Sequence, residues 1–141
     1  MSRNEFQKSW LLVTAVVIGA FGPVFSLATV PSWDILAQLS LDVLAWPIDG
    51  TQRYADSSMR FLSALTGGFL FGWGVMILCL RQWVYDVAPE PTRRAIVAGL
   101  LAWFVLDSAG SIAAGVPSNA VFNVLVLLLC VGPLWRAASP H

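Results

Sequence analysis

The sequence predicts an all-α membrane protein: a bundle of four transmembrane helices with an interfacial amphipathic helix between the first and second spans. Three observations predict this class: the composition, the lengths of the apolar stretches, and the placement of cationic and tryptophan side chains. The chain is 57% hydrophobic and only 11% charged, with a mean hydropathy of +0.73. Charged residues make up about 25% of an ordinary soluble domain. We therefore expect one integral membrane domain, residues 1–141.

Four apolar stretches are long enough to cross a bilayer, which takes ~20 helical residues. They cover residues 10–30, 61–80, 95–115 and 119–135. In the first stretch, Gly22-Pro23 predicts a kink. A secretory signal is the alternative there, because Ser26-Leu27-Ala28 resembles a cleavage site, but the apolar run exceeds the ~7–15 residues of a signal. We expect the first stretch to be retained as a membrane anchor.

The connections between the spans differ in kind. Residues 33–46 place Asp34, Gln38 and Asp42 on one side and apolar side chains on the other, a spacing typical of a helix that lies in the membrane interface. We expect it to act as a structural lid over the bundle, with a binding segment for a soluble partner as the alternative. Arg81–Arg94 is expected to be a short polar connection. Val116-Pro117-Ser118 predicts a tight turn, so the third and fourth spans should form an antiparallel hairpin.

Lysine and arginine are unevenly divided between the two sides of this topology. The side with both termini carries Arg3, Lys8, Arg81, Arg93, Arg94 and Arg136, whereas the other side carries Arg53 and Arg60. Tryptophans mark both interfaces, with Trp10, Trp83 and Trp135 on the first side and Trp33 and Trp46 on the second. By the positive-inside rule, both termini are expected to be cytoplasmic.

Small residues suggest where helices approach each other closely. Gly68 and Gly72 have the GxxxG spacing, which allows close backbone contact. At helical periodicity Arg60, Ala64, Gly67 and Gly74 share one face of the second span. The candidate helix-packing glycines are Gly67, Gly68, Gly72, Gly74 and Gly110. We expect the groove to receive another helix of the same chain, with a second protomer as the alternative.

The polar residues inside the spans form the main candidate site. Asp107 lies roughly 12 Å below the outer end of its helix at ~1.5 Å per residue, where a carboxylate should turn away from lipid. The predicted cluster contains Arg60, Asp107, Ser108, Ser111, Asn119 and Asn123. Arg60 is expected to reach Asp107 directly, or through Asn123 and water. The cluster either fixes helix register or makes Asp107 a titratable site in an outward-opening cavity.

Several chemistries are disfavoured by the composition. The net charge is zero and no basic stripe is present, so nucleic acid is not an expected partner. The only histidine is His141, so no intramembrane histidine is available for haem or a catalytic metal. Asp107-Ser108 alone cannot provide a nucleophile, a base and an oriented acid. We expect no cofactor, no metal, no catalytic residue and no enzymatic activity, with a lipid-modifying activity as the one enzymatic alternative left open.

Two stretches resemble a known class of protein. They are Arg60-Phe61-Leu62-Ser63-Ala64-Leu65-Thr66-Gly67-Gly68-Phe69-Leu70-Phe71-Gly72-Trp73-Gly74, and the third span from Arg93 to Ser111. An arginine that opens a glycine-rich span, followed by a span with a polar motif, resembles small bacterial four-helix inner-membrane proteins of unassigned function. The resemblance implies this fold and a bacterial inner membrane, and it implies no activity.

Three functional hypotheses follow from these features. The leading one is a non-enzymatic protein that assembles, with itself or in a larger membrane complex, through its glycine faces and interfacial helix. The second is a small-solute or proton-coupled transporter that uses Asp107 and Arg60. The third is a protein that binds a lipid or another apolar ligand in a pocket lined by Trp73 and Trp103. Membrane lipids and a homo-oligomer are the expected partners besides such a complex.

Overall fold

The computed structural model describes residues 1–139 as five α-helices, with no strand in this range. The helices are α1 (Arg3–Leu27), α2 (Ile35–Ala45), α3 (Ser57–Cys79), α4 (Pro89–Ala113) and α5 (Pro117–Val131). A π-helical turn, Leu80–Val84, extends α3, and a 3-10 turn, Gly132–Trp135, extends α5. All of these except α2, counted with their extensions, are long and apolar enough to span a membrane. The predicted helical bundle is thus confirmed at this level. His141 lies outside the described residues.

The long helices extend further than the predicted spans, mainly at the end of the bundle that carries the termini. α1 begins at Arg3 because Ser2 and Glu5 form a capping box that satisfies exposed N–H groups of its first turn. α4 begins at Pro89, a residue type favoured at the first helical position. The predicted polar connection Arg81–Arg94 is therefore wrong in its extent, since only the residues between Val84 and Pro89 separate the two helices. Hydropathy detects the apolar part of a helix and misses its polar ends.

α1 and α3 form the closest helix pair, and glycines allow it. A Cβ on Gly74 would lie 2.7 Å from the Cα of Gly19 and 2.8 Å from the carbonyl oxygen of Ala15, both on α1. Gly67 meets Gly22 and Ser26 of α1 in the same way. The groove predicted on the Gly67–Gly74 face thus receives a helix of the same chain, and dispersion between closely spaced backbones holds it there.

α2 packs with its polar residues toward the bundle. Asp34, which precedes its first turn, and Asp42 are only 8% and 3% exposed, whereas Ile35 is 64% exposed. Asp42 accepts a hydrogen bond from the backbone N–H of Gly50, at 3.1 Å, and so holds the following turn. The apolar side of α2 faces outward. An outward apolar surface suits a helix that borders the membrane interface.

The bundle is tightly packed at the end that carries both termini, which we call the terminal end. Its core joins all four long helices and contains Leu11, Ile77, Tyr85, Leu100 and Leu134 among its fully buried side chains. The opposite end, which we call the α2 end, is looser. There α1 packs on α3 and α4 packs on α5, but α3 and α4 make almost no close backbone contact.

Hydrogen bonds to the C-terminal segment reinforce the terminal end. Gln7 is fully buried, and its amide donates to the carbonyl oxygens of Pro133 (3.0 Å) and Arg136 (2.7 Å). The Tyr85 hydroxyl donates to the Gln7 side-chain oxygen at 3.0 Å. Asn4 exchanges two hydrogen bonds with the backbone of Ser139. These contacts bind the segment after α5 to the first two turns of α1.

Candidate functional site: a cavity at the α2 end

A cavity of about 440 Å³ lies between the two helix pairs at the α2 end. Every α-helix contributes to its wall, as does the loop before α3. The lining residues are Val17, Ile18, Phe21, Phe25, Leu41, Leu44, Tyr54, Met59, Leu62, Ser63, Thr66, Leu70, Trp73, Leu100, Trp103, Asp107, Asn119, Phe122, Asn123 and Val126. Most are apolar, and the volume falls in the range of small-molecule sites.

The cavity reaches the surface of the bundle on the side of α3. Leu62 and Thr66 line it and are also exposed at the surface. α3 and α4, both of them apolar, make almost no close backbone contact.

Two tryptophans close the cavity toward the terminal end. Trp73 of α3 and Trp103 of α4 are half-buried, and their rings pack edge to face with centroids 6.3 Å apart and planes at 62°. This is the geometry that aromatic pairs favour. Both side chains line the cavity, at the positions proposed from the sequence for an apolar pocket. They also form one of the few bridges between α3 and α4.

Asp107 provides the polar side of the cavity. Its Oδ2 accepts hydrogen bonds from the side-chain amides of Asn119, at 2.9 Å, and Asn123, at 2.6 Å. Asn119 also donates to Ser111 (2.7 Å) and Asn123 to Ser108 (3.2 Å). The tight turn after α4 sets this register, because it aligns α5 antiparallel to the last turns of α4. Five of the six residues of the predicted cluster are therefore in one hydrogen-bonded group.

The second carboxylate oxygen of Asp107 has no partner in the part of the chain that the structure describes. Every hydrogen bond found for this side chain goes to Oδ2, and Oδ1 is not among the buried polar atoms. None of the three ion pairs among residues 1–139 includes Asp107. The described lining contains no lysine, arginine or histidine. The cavity wall thus carries one carboxylate and no matching cation.

Arg60 does not take part in this cluster, and the predicted Arg60–Asp107 contact is not formed. Its guanidinium donates to the carboxylate of Asp34, at 3.0 Å, and to the backbone carbonyl of Ala28, at 2.6 Å. The physical reason is distance along α3: Arg60 lies in the first turn, where the segment between α1 and α2 supplies a nearer acceptor. The prediction that Arg60 belongs to the Asp107 cluster is therefore wrong.

The cavity wall carries a second polar group, which the sequence did not predict. The Ser63 hydroxyl donates to the backbone carbonyl of Phe25, at 2.7 Å, and lies 3.2 Å from the Tyr54 hydroxyl. Tyr54 is buried, and this desolvation raises the pKa of its phenol above the usual value. The one sequence signal is that Ser63 lies beside the glycine face of α3. Nothing local marks Tyr54, whose position depends on how the loop folds back over α1.

The predicted packing glycines divide into two groups. Gly67 and Gly74 contact α1, as described above. Within residues 1–139, a Cβ on Gly68, Gly72 or Gly110 would meet no atom within 4 Å beyond its chain neighbours and the backbone of its own helix. The GxxxG pair therefore faces away from the intramolecular helix contact, which Gly19 and Gly22 of α1 make with the other face.

No group of three or more histidine, cysteine, aspartate or glutamate side chains suited to a metal occurs within residues 1–139. Comparison with protein families, with curated proteins and with solved structures gives no significant match to the chain. The resemblance to small bacterial four-helix inner-membrane proteins therefore stays a prediction.

Proposed function

We propose that this protein binds an apolar or amphipathic ligand, such as a lipid, inside the membrane. The observation that carries the proposal is the cavity of about 440 Å³, which reaches the surface at exposed residues of α3. Close-packed protein interiors contain few voids larger than a water molecule. A cavity of this volume in a four-helix bundle is best explained by an occupant.

The chemistry of the wall supports the same proposal. Apolar side chains from all five α-helices surround a small number of polar groups, and this combination is typical of sites that bind and orient small molecules. Ligand binding alone, without a chemical reaction, accounts for these features. In this view the Asp107 cluster has two roles, since its hydrogen bonds stabilise the α4–α5 contact and it presents a polar atom to the ligand.

Filling the cavity tests this function. Val126 of α5 lines the cavity, whereas Val124 of the same helix is 42% exposed on the outside. The native chain, Val126→Phe and Val124→Phe should be purified in a mild detergent and analysed by native mass spectrometry. We expect an apolar molecule at fixed stoichiometry on the native chain and on Val124→Phe, and its loss from Val126→Phe.

Val124→Phe is the matched control for Val126→Phe. Both substitutions add the same ring to the same helix, so a difference between them reports on the cavity. Equal amounts of bound lipid on all three proteins would show adventitious lipid at the outer surface and contradict the proposal. Thermal unfolding of each protein checks that the added ring has not unfolded the bundle.

Self-assembly is a second candidate, and it is favoured by the outward glycines. Gly68 and Gly72 lie one turn apart on α3 with open space beside them, as a partner helix would require. We expect Gly68→Leu or Gly72→Leu to convert an oligomer to a monomer in sedimentation experiments. Gly110→Leu on α4 is the control, because Gly110 is equally unobstructed but has no GxxxG partner. A native chain that sediments as a monomer removes this candidate.

A further inference from the structure

The charge of the cavity wall restricts the ligand further. Asp107 is the one charged side chain among the described lining residues. A carboxylate surrounded by apolar groups is costly unless a cation or hydrogen-bond donors compensate it. Asn119 and Asn123 donate to one oxygen of the Asp107 carboxylate, and the other oxygen has no hydrogen-bond partner in residues 1–139 and is not fully buried.

We infer that the ligand is a lipophilic cation: an apolar molecule that carries a positively charged nitrogen and no anionic group. The inference rests on the proposed function and specifies its ligand class. The cationic nitrogen binds Asp107 and supplies the missing counter-ion. The apolar body lies against the aliphatic and aromatic wall formed by α1, α3 and α5.

The position of the tryptophans supports a cation. Trp103 precedes Asp107 by one helical turn, so the two side chains project from the same side of α4. Trp73 completes the pair from α3, at 6.3 Å between ring centroids. The faces of indole rings attract alkylated ammonium groups, and this attraction strengthens where water is excluded. Carboxylate and indole groups thus lie on one wall of the cavity.

An anionic head group does not fit the same wall. A phosphate brought to Asp107 would meet a like charge, and the described lining offers no arginine or lysine to hold it. Phospholipids are therefore disfavoured as the occupant, including those with an ethanolamine head, because their phosphate would accompany the amine.

A charge series on one fluorophore tests the inference without any substitution. The probes are neutral diphenylhexatriene, its trimethylammonium derivative and its propionate derivative. Binding to the full chain in nanodiscs is measured by energy transfer from tryptophan, with Val126→Phe as the reference for probe dissolved in lipid. We expect the cationic probe to bind roughly tenfold more tightly than the neutral one, and the anionic probe to bind most weakly.

Substitutions at Asp107 then identify the group responsible. Asp107→Asn keeps an oxygen that accepts from Asn119 and Asn123 but removes the charge. It should bring the cationic and neutral probes to within about twofold of each other. Asp107→Glu should retain the preference for the cation.

The outcomes separate the two proposals. Equal binding of the neutral and cationic probes by the native chain would overturn the inference and leave apolar ligand binding in place. No saturable binding of any probe would overturn both. Displacement of the cationic probe in nanodiscs rich in phosphatidylethanolamine, but not in those rich in phosphatidylglycerol, would identify a membrane lipid as the occupant and overturn the assignment to a free cation.

Discussion

Single side chains determine how the loops close over the α2 end. Arg60 shows this most clearly, since its guanidinium joins the first turn of α3 to Asp34 and to the carbonyl of Ala28. Asp34 is 8% exposed and Ala28 is fully buried. Buried acceptors that lose their donor carry the full penalty of desolvation, so these contacts fix the loop around α2.

We expect Arg60→Met to lower the free energy of unfolding by about 2 kcal/mol, because Asp34 and Ala28 both lose a donor. Arg53→Met is the matched control. Arg53 is exposed and bonds only to carbonyls of its own loop, so its loss should change stability by less than about 0.5 kcal/mol. Thermal unfolding in detergent gives both values, and equal effects would show that the Arg60 contacts are not formed.

At the scale of the helices, the α1–α3 pair is the element on which the bundle is built. The two helices can approach each other closely because the glycines between them carry a hydrogen atom where other residues carry a Cβ. Gly74 and Gly72 lie on the same helix and differ only in the face they occupy, since Gly74 touches the backbone of α1 and Gly72 touches nothing within 4 Å.

We therefore expect opposite effects from the same substitution. Gly74→Ala should destabilise by about 1–3 kcal/mol, because the added methyl group meets backbone atoms that cannot move aside. Gly72→Ala should be neutral or should stabilise the monomer by up to about 1 kcal/mol through helix propensity. Unfolding of the two variants side by side decides the matter, and destabilisation by Gly72→Ala alone would place the contact on the other face.

The Asp107 cluster could be predicted because short-range rules determine it. A tight turn after α4 sets the register of α5, and the register brings Asn119 and Asn123 to Asp107. The partner of Arg60 could not be predicted in this way, since it depends on where α2 and its preceding loop are placed. Likewise, the sequence of α3 alone could not predict which of its two glycine faces contacts α1. That face is determined by Gly19 and Gly22 on α1, about which the periodicity of α3 contains no information.

At the scale of the whole molecule, the positive-inside rule predicts that both termini are cytoplasmic, and this fixes the orientation of the bundle. One exposed loop residue at each end of the bundle can report on this orientation. Ala55 precedes α3 at the α2 end, and Val87 precedes α4 at the terminal end; both are exposed.

Thiol labelling tests this orientation. After Cys79→Ala and Cys130→Ala, single cysteines are introduced as Ala55→Cys or Val87→Cys and treated in spheroplasts with a membrane-impermeant reagent. The excess of arginine and lysine at the terminal end predicts that only Ala55→Cys reacts before permeabilisation. Reaction of Val87→Cys alone would reverse the orientation, and reaction of both would contradict the four-span topology.

The uneven packing of the bundle has a mechanical consequence. The two helix pairs pack tightly at the terminal end. A small change in the angle between them therefore produces a larger displacement at the α2 end. A tilt of about 5° over a 25-residue helix moves its far tip by about 3 Å, at ~1.5 Å of rise per residue. The width of the cavity at the α2 end can therefore change while the contacts at the terminal end are kept.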